Sequence, residues 1–211
     1  MGRFRKIEMK KKILLIGSGG HARVVIDALE RLDYDLKGII DLNYKKSKEL
    51  ILGYKVIGNY EKLKKFKPKD YFVFIAIGDN QIRKKYFNKV KKRGFKIPNI
   101  VHPSSNVSKH VSLGKGIFIN IKAIINASAR IKDNTIINTA SIIEHETVIG
   151  KNCHICPGAK IAGRVLIGDD TFIGLGTNII QNVKIGKNTK VGAGLTVKKN
   201  IKKNTTFSIN K

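Results

Sequence analysis

The sequence contains little cysteine and proline and no tryptophan, and no long apolar segment. Its two cysteines, Cys153 and Cys156, cannot form a disulfide framework, which favours a reducing compartment. Apolar runs such as YFVFIAIG at 71–78 fall far short of the roughly 20 residues that a membrane-spanning helix needs. The basic start MGRFRKIEMKKK precedes a run too short and too rich in glycine for a secretory signal. We therefore expect a cytoplasmic protein without a membrane partner.

Acidic residues are also scarce, since 15 Asp and Glu stand against 42 Lys and Arg, for a formal net charge of +27. Such an excess is typical of proteins that bind nucleic acid. However, the positive residues are mostly Lys, they are spread along the whole chain, and no aromatic platform accompanies them. We expect a solvated, lysine-rich surface and no nucleic-acid partner. The positive field would help to collect anionic ligands.

The second half of the chain repeats with a period of six residues. Every sixth residue is a large aliphatic, and the residue four positions after each aliphatic is small or apolar. A glycine or asparagine often follows the aliphatic directly, as at Gly150 and Gly168, and predicts a turn there. A period of six forms no stable helical face, but it fits a β-solenoid with three flat sides and coils spaced by about 4.8 Å. The predicted inward aliphatics are Val101, Val107, Leu113, Ile119, Ile125, Ile131, Ile137, Ile143, Ile149, Ile155, Ile161, Ile167, Ile173, Ile179, Ile185, Val191 and Val197.

The first hundred residues instead alternate predicted strands with predicted helices. The strands are KKILLIG, LKGIID, which ends at Asp41, and YFVFIAIG. This order predicts a small parallel α/β sheet, in which ligands bind at the carboxyl ends of the strands. We place one domain at 1–100 and a second at 101–211. The two predicted helices carry recurring apolar residues at Val25, Leu29 and Leu32, and at Ile82, Tyr86 and Val90.

A glycine turn, GSGGHA, follows the first strand and has the spacing of a dinucleotide fingerprint. Such glycines let a phosphate approach the N-terminus of a helix, where unpaired N–H groups favour anions. Alone, the turn would suggest a nicotinamide enzyme with Asp41 on a ribose. Because the α/β part has only about 100 residues, too few for the six-stranded sheet that usually holds a dinucleotide, a mononucleotide is the better match.

The motifs GSGGHA, AIGDNQIRKK and INTASIIEHETVIGKNCHICPGAKIAGRVLIGDDTFIG together resemble the family of sialic acid O-acetyltransferases and nucleotide-amino-sugar N-acetyltransferases. The resemblance runs from about Lys11 to Asn200 and is greatest for bacterial enzymes that acetylate a UDP-linked 4-amino sugar. It implies a small Rossmann-like α/β domain followed by a left-handed parallel β-helix of hexapeptide repeats. It also implies a homotrimer with active sites between subunits, and acetyl-CoA as co-substrate. The implied nucleotide-sugar contacts are Gly19, Gly20, His21, Asp41, Leu42 and Gly78, with Leu42 standing where the family has an acidic residue.

The expected catalytic base is His145, which lies two residues after the inward Ile143, so its side chain should leave the solenoid. An imidazole can take the proton of an attacking amine near neutral pH, and the neighbouring Glu146 can orient the ring. In the resembling enzymes the matching His is the general base of a direct transfer, assisted by residues that match Glu146 and Asn138. The resemblance places acetyl-CoA along His154, Gly163, Leu175 and Ala193.

Two alternatives stay open at this point. The same base could serve an O-acetyltransferase acting on sialic acid or another sugar hydroxyl, and a trimeric scaffold that binds nucleotides would need no base. A zinc site of three histidines, as in related carbonic anhydrases, is not expected, because His145 and His154 are the histidines of the middle coils. The CHIC motif predicts packing rather than metal or redox chemistry, since Cys153 takes an inward position. Relatives usually close with Gly-x-Pro-Ala, where this chain has NTTFSINK.

Overall fold

The computed structural model describes residues 10–44 and 49–208. Most of the basic start and the last three residues therefore lie outside the described residues. Within the described ranges no helix combines the length and apolarity required to cross a membrane. The described chain divides into an α/β part and a solenoid, in the predicted order.

The α/β part is a five-stranded sheet in the order β3-β4-β2-β1-β5, parallel except for the β3–β4 pair. The consecutive apolar residues 13–16 of β1 bury both of its faces, as expected for a central parallel strand covered on each side. The sheet therefore has a buried layer on each side. Its elements are β1 (Lys11–Ile16), α1 (Gly20–Glu30), β2 (Tyr34–Ile40), β3 (Leu50–Ile51), β4 (Tyr54–Gly58), a 3₁₀ helix (Tyr60–Lys65), β5 (Phe72–Ile75) and α2 (Asn80–Lys92).

Helix α2 turns inward a face that matches its apolar spacing only in part. Val90 is buried as that spacing suggests and Tyr86 is partly buried, but Ile82 is 43% exposed. Arg83 and Phe87 are buried instead. Asp79 caps the helix, because its Oδ1 accepts hydrogen bonds from the backbone N–H groups of residues 81 and 82. A charged residue thus occupies an interior position that a hydrophobic pattern cannot reveal.

The solenoid confirms the period of six, since its two-residue strands recur at that spacing and pair in parallel with strands 18 residues away. They form three sheets, one for each side of a prism. The fold is the expected left-handed parallel β-helix behind a Rossmann-like domain. Its strands are β6 (Ile100–Val101), β7 (Asn106–Val107), β8 (Ser112–Leu113), β9 (Phe118–Ile119), β10 (Ile124–Ile125), β11 (Arg130–Ile131), β12 (Ile136–Ile137), β13 (Ile142–Ile143), β14 (Val148–Ile149), β15 (His154–Ile155), β16 (Lys160–Ile161), β17 (Leu166–Ile167), β18 (Phe172–Ile173), β19 (Asn178–Ile179), β20 (Lys184–Ile185), β21 (Lys190–Val191), β22 (Thr196–Val197) and β23 (Thr206–Phe207).

Both predicted inward positions fill the interior of the prism. The aliphatics from Ile119 to Val197 are buried, and the second position is buried from Ile117 to Thr189. Where the second position is a hydroxyl, it donates to a backbone carbonyl, as Thr135 does to Gly150 at 2.8 Å and Thr147 does to Ala162 at 2.9 Å. The interior therefore leaves these polar groups satisfied.

The corners of the prism differ in detail from the predicted turns. The left-handed residue lies two positions after the predicted turn-former, for example at Asn152 (φ 57°) after Gly150 and at Asp170 (φ 62°) after Gly168. Gly150 meets another requirement, because a Cβ there would come within 2.5 Å of the Asp169 backbone nitrogen in the next coil. Glycine in the predicted positions therefore permits close stacking of coils rather than a positive φ.

Two features of the prism fix where candidate site residues lie. The docked face carries the outward residues Phe118, Ile136, His154 and Phe172, and the α/β part packs on the first two of them. Each coil passes from this face along a second face and then a third. The corner between the second and third faces is therefore opposite the docked face. We name it the His145 corner, a stack of Ala127, His145, Gly163 and Gln181.

Candidate functional site

His145 and Glu146 form a pair on the outside of the prism. Nδ1 of His145 lies 3.0 Å from Oε2 of Glu146, and the two side chains are 55% and 49% exposed. Hydrogen bonding to His145 and Arg164 lowers the pKa of the Glu146 carboxyl. An ionised carboxylate only accepts hydrogen bonds, so the proton between them belongs to Nδ1, and in the neutral ring Nε2 is the nitrogen with a free lone pair. This arrangement presents an accepting nitrogen to the surroundings.

Glu146 also binds a second cation from the next coil. Nε of Arg164 lies 2.9 Å from the same Oε2 atom that His145 contacts. The two residues stack because the Arg164 backbone N–H donates to the His145 carbonyl at 3.0 Å. The carboxylate is therefore held from two sides.

Gly163 makes room for the His145 ring. A Cβ atom on Gly163 would lie 2.6 Å from Cε1 and 2.7 Å from Nε2 of His145. The two residues come together because their corners stack 18 residues apart. Gly163 was expected along acetyl-CoA, and in this chain it directly faces the expected base.

Asn138 lies apart from His145 within one chain. Its Nδ2 is 3.1 Å from Nε2 of His154, and its Oδ1 accepts hydrogen bonds from Asn120 Nδ2 at 2.9 Å and from the Thr139 backbone N–H at 2.8 Å. Since His154 projects from the docked face and His145 lies at the opposite corner, the expected catalytic set falls into two clusters.

His154 lies at the junction of the α/β part with the solenoid. Nδ1 is 3.2 Å from the carbonyl oxygen of Gly78, in the segment after β5. Burial, together with the nearby charge of Arg83, lowers the pKa of His154 to about 4. The ring is therefore neutral at physiological pH.

His21 comes close to the same junction. Its ring centroid lies 6.1 Å from that of His154 and 5.3 Å from that of Phe118, in an edge-to-face contact. Burial is the main cause that lowers the pKa of His21 to about 3. Nε2 of His21 is buried without a hydrogen-bond partner. An unsatisfied buried nitrogen of this kind is costly unless a bound group supplies a hydrogen-bond partner.

The glycine turn stands open above the carboxyl ends of the central strands. A Cβ on Gly19 or Gly20 would meet nothing within 4 Å, and helix α1 has no side-chain cap at Gly19. The first N–H groups of the helix are thus available to a ligand. Asp41 follows β2 directly and accepts a hydrogen bond from the Asn43 backbone N–H at 2.9 Å. Leu42 is partly buried against the hydrophobic core, and its apolar side chain offers no hydrogen bond to a nucleotide.

A cleft of about 440 Å³ adjoins this junction. It lies between the start of helix α2 and the upper coils of the docked face. One wall carries His154, and Lys190 supplies a positive charge. The lining residues are Gly78, Asp79, Asn80, Gln81, His154, Asp170, Phe172, Asn188 and Lys190.

Leu175 and Ala193 lie on a third location, the corner between the docked face and the second face. They stack there, because the Gly194 N–H donates to the Leu175 carbonyl at 2.8 Å. Leu175 is 59% exposed, and Ala193 is exposed as well. Pro157 lies on the same corner, one coil before Leu175 and two coils before Ala193.

The cysteines behave as packing residues. Cys153 is fully buried in the prism and Cys156 is nearly so, and burial raises the pKa of each thiol to about 12. Among residues 10–44 and 49–208 no group of three His, Cys, Asp or Glu is arranged to hold a metal ion.

One residue of the junction is absent from the expectations drawn from sequence. Arg83 of helix α2 is 1% exposed and donates to the Gly78 carbonyl at 2.8 Å. It lies within the motif AIGDNQIRKK but outside the recurring apolar positions Ile82, Tyr86 and Val90. No pattern in a single sequence distinguishes this Arg from the lysines around it.

Family models cover both parts of the chain. The PglD N-terminal domain matches residues 12–90, and the bacterial transferase hexapeptide of six repeats matches residues 128–163 and 164–199. Each match coincides with the corresponding structural part.

Solved structures match the whole architecture. A variant of perosamine N-acetyltransferase from Caulobacter crescentus, in complex with CoA and GDP-perosamine, has a TM-score of 0.89 and 34% identity, covering 94% of each chain. The acetyltransferase domain of PglB from Neisseria gonorrhoeae has a TM-score of 0.88 and 31% identity, covering 93% of this chain and 96% of that one.

Curated relatives match over part of their length. UDP-N-acetylbacillosamine N-acetyltransferase of Bacillus subtilis is 32% identical over 114 residues, which are 52% of this chain and 51% of that protein. An uncharacterized protein, L142, of Acanthamoeba polyphaga mimivirus is 31% identical over 125 residues, which are 59% of this chain and 24% of that protein. The chain thus spans about half or less of the length of these curated relatives.

Proposed function

Because this chain belongs to the family of sialic acid O-acetyltransferases and nucleotide-amino-sugar N-acetyltransferases, built on hexapeptide repeats, we propose that it acetylates the amino group of a nucleotide-linked sugar with acetyl-CoA. The observation that carries this proposal is the His145–Glu146 pair, with an accepting Nε2 on the outer surface of the prism. A UDP-linked 4-amino sugar is the proposed acceptor.

The proposed reaction is a direct transfer. The acceptor amine attacks the thioester carbonyl, and Nε2 of His145 takes the proton that the amine loses. The bond from carbonyl carbon to sulfur then breaks, the CoA thiolate leaves, and the amide remains on the sugar. Glu146 holds Nδ1–H and stabilises the imidazolium that forms, while Arg164 holds the carboxylate in place.

The split of site residues within one chain supports a site built from two subunits. His145 and Gly163 lie on one corner, whereas Asn138, His154 and the glycine turn lie on or near the opposite face. A site that uses both clusters requires a second copy of the chain. We propose the homotrimer with active sites between subunits, which satisfies this requirement in a closed symmetric assembly.

Both ligands have a proposed location. The open N–H groups at Gly19 and Gly20, the partnerless Nε2 of His21, and Asp41 are proposed to hold the nucleotide sugar in domain 1–100. Acetyl-CoA is proposed to lie between two solenoids of domain 101–211. The residues expected along it are His154, Gly163, Leu175 and Ala193, the last of which stacks on Leu175. The perosamine enzyme of Caulobacter crescentus with CoA and GDP-perosamine, and PglB with acetyl coenzyme A, support this pair of ligands.

Two free cysteines fit a reducing, cytoplasmic location.

The test is an assay of thiol release from acetyl-CoA. The full chain is offered a UDP-linked 4-amino sugar, the GDP-linked 4-amino sugar perosamine, and free sialic acid. Rapid release with a nucleotide-linked amino sugar is the expected result, and mass spectrometry identifies the amide. Release with sialic acid alone would replace the proposal by O-acetylation, and no release with any of the three would overturn it.

The matched variant is His145→Ala, with the exposed His110→Ala as control. We expect His145→Ala to lower turnover at least about a hundredfold, as loss of a general base does, while the melting temperature and oligomeric state stay unchanged. His110→Ala should keep wild-type turnover. Equal turnover of the two variants would remove His145 from the mechanism.

A further inference from the structure

Arg83 is a cation enclosed between the two parts of the chain. It projects from helix α2 and is 1% exposed, so its guanidinium is withdrawn from water. Burial lowers its pKa to about 10, and the group remains charged at physiological pH. Enclosing a charge costs free energy unless hydrogen bonds compensate for the lost water.

Hydrogen bonds to neutral groups provide that compensation. Its nitrogens contact three separate segments of the chain at 2.8 to 3.2 Å, and none of the salt bridges formed by the described residues includes this Arg. The neighbouring Lys84 instead pairs with Asp170. The acceptors of Arg83 are the carbonyl oxygens of Ile77, Gly78, Asn134, Asn152 and Cys153, and the Asn80 side-chain oxygen.

Two of these acceptors lie on either side of His154. The Cys153 carbonyl belongs to the residue just before it and is 3.0 Å from Nη2 of Arg83. The Gly78 carbonyl accepts Nη1 of Arg83 at 2.8 Å and also lies 3.2 Å from Nδ1 of His154. Arg83 and His154 therefore share one carbonyl oxygen.

The shared oxygen decides which nitrogen of His154 carries the proton. A carbonyl oxygen can only accept, so Nδ1 must be the protonated nitrogen, and Nε2 of the neutral ring must accept. Nε2 faces Nδ2 of Asn138 at 3.1 Å, and the amide of Asn138 is oriented independently, because its Oδ1 accepts from Asn120 and Thr139. The donors and acceptors form one consistent chain from Asn120 to Arg83.

We propose that Arg83 is a positioning residue that holds the Gly78 carbonyl against His154 and thereby keeps His154 in the Nδ1–H tautomer with Nε2 directed at Asn138. This proposal rests on the proposed function for its role in acetyl transfer, but the tautomer itself is a property of the chain alone. Arg suits the position because one planar group reaches Gly78, Cys153 and α2 together, which a Lys amine cannot do.

The test is ¹⁵N NMR of the full chain with labelled histidine, which distinguishes the two neutral tautomers by the shifts of their ring nitrogens. His154→Gln identifies the signal of His154. We expect an unprotonated Nε2 in the wild type. A protonated Nε2 in the wild type would overturn the proposal without any variant.

Variants then separate positioning from packing. Arg83→Lys keeps the charge but loses the forked contacts, and we expect the ratio of Nδ1–H to Nε2–H tautomer to fall by at least about threefold. Asn80→Ala removes one acceptor of Arg83 at 2.9 Å and should change the tautomer ratio in the same direction by a smaller amount. This variant replaces Arg83→Lys in the test if Arg83→Lys does not fold. The control Lys84→Met breaks the Asp170 ion pair between the same two parts and should leave the tautomer unchanged.

Two results would contradict the proposal: an unchanged tautomer in folded Arg83→Lys or Asn80→Ala, or the same change of tautomer in Lys84→Met. Either result would mean that Arg83 only stabilises the packing of the two parts. In the assay, Arg83→Lys should lower kcat about tenfold and change KM for acetyl-CoA less than about twofold, the pattern of a lost transition-state contact. If the chain shows no acetyl transfer, the proposed function fails, while the tautomer still decides the role of Arg83.

Discussion

The Cα of Gly163 lies so close to the ring of His145 that any side chain there would collide with it. An added Cβ would meet Cε1 at 2.6 Å and Nε2 at 2.7 Å. This orientation of the ring therefore requires a residue without a side chain at position 163, although the backbone conformation there is open to other residues. This contact links the geometry of the solenoid directly to the orientation of the expected base.

Gly163→Ala should displace the His145 ring and lower kcat at least about tenfold, because a misplacement of about 1 Å can cost a hundredfold in rate. The melting temperature should change little, since the His145 side chain is half exposed and can rotate away. Turnover and thermal unfolding of the purified variant check both expectations. Gly192→Ala is the matched control for stability, because the nearest atoms to its added Cβ lie at 3.4 Å. Wild-type turnover in Gly163→Ala would show that this contact does not orient the base.

Glu146→Gln should lower kcat at least about tenfold with a smaller change in KM, because an uncharged amide stabilises the imidazolium less well than a carboxylate does. The control is Glu144→Gln, two residues earlier, whose Oε2 accepts a hydrogen bond from Asn126 at 2.8 Å and does not contact His145. Steady-state kinetics at saturating acetyl-CoA measure the effect. Equal losses in the two variants would point to general surface charge instead of the His145 contact.

Mixed oligomers should report whether the site draws on two chains. His145 and His154 lie on opposite sides of the prism. Because both are proposed site residues, His145→Ala and His154→Ala should each lose most activity. If one site takes His145 from one subunit and His154 from its neighbour, each trimer that contains both variants keeps about a third of its sites intact. Co-expression with two affinity tags and an assay of the doubly tagged oligomer measure this. Absence of any recovered turnover in a confirmed mixed oligomer would argue for a site within one chain.

Stability should fall on acidification through His21 and His154, whose pKa values are lowered most. Burial lowers the pKa of His154 to about 4 and that of His21 to about 3, whereas both titrate with a pKa near 6.5 in the unfolded chain. Between about pH 4 and 6.5 the unfolded chain therefore binds more protons, so their contribution is fully present above pH 6.5 and declines below it. The slope is at most about 1.4 kcal/mol per pH unit and histidine.

Urea unfolding at pH 7, 6 and 5 checks this dependence against two variants. His154→Gln should have a shallower decline than the wild type, because one histidine with a strongly lowered pKa is gone. His110→Gln, which replaces an exposed histidine, should decline as the wild type does. Parallel curves for all three proteins would contradict a neutral, buried His154.

The period of six could be recognised from sequence because each inward residue recurs in the same chemical class. Ile143 and Ile149 are buried as the spacing predicts, and so is the small position at Cys153. The same spacing correctly predicts that the side chain of His145 points out of the solenoid. A repeat makes the environment of one coil a good guide to the next, so a local pattern suffices there.

The sequence by itself determined the alternation of strands and helices in the α/β part, the prism and the outward position of His145, since each follows from the local pattern of apolar and turn-forming residues. Only the tertiary structure decided that Asn138 contacts His154 instead of His145, that Gly163 faces the expected base, and that Arg83 is enclosed. These are contacts between coils or between the two parts of the chain. They depend on which faces meet, and a local pattern of residues carries no information about the surface on which it will dock.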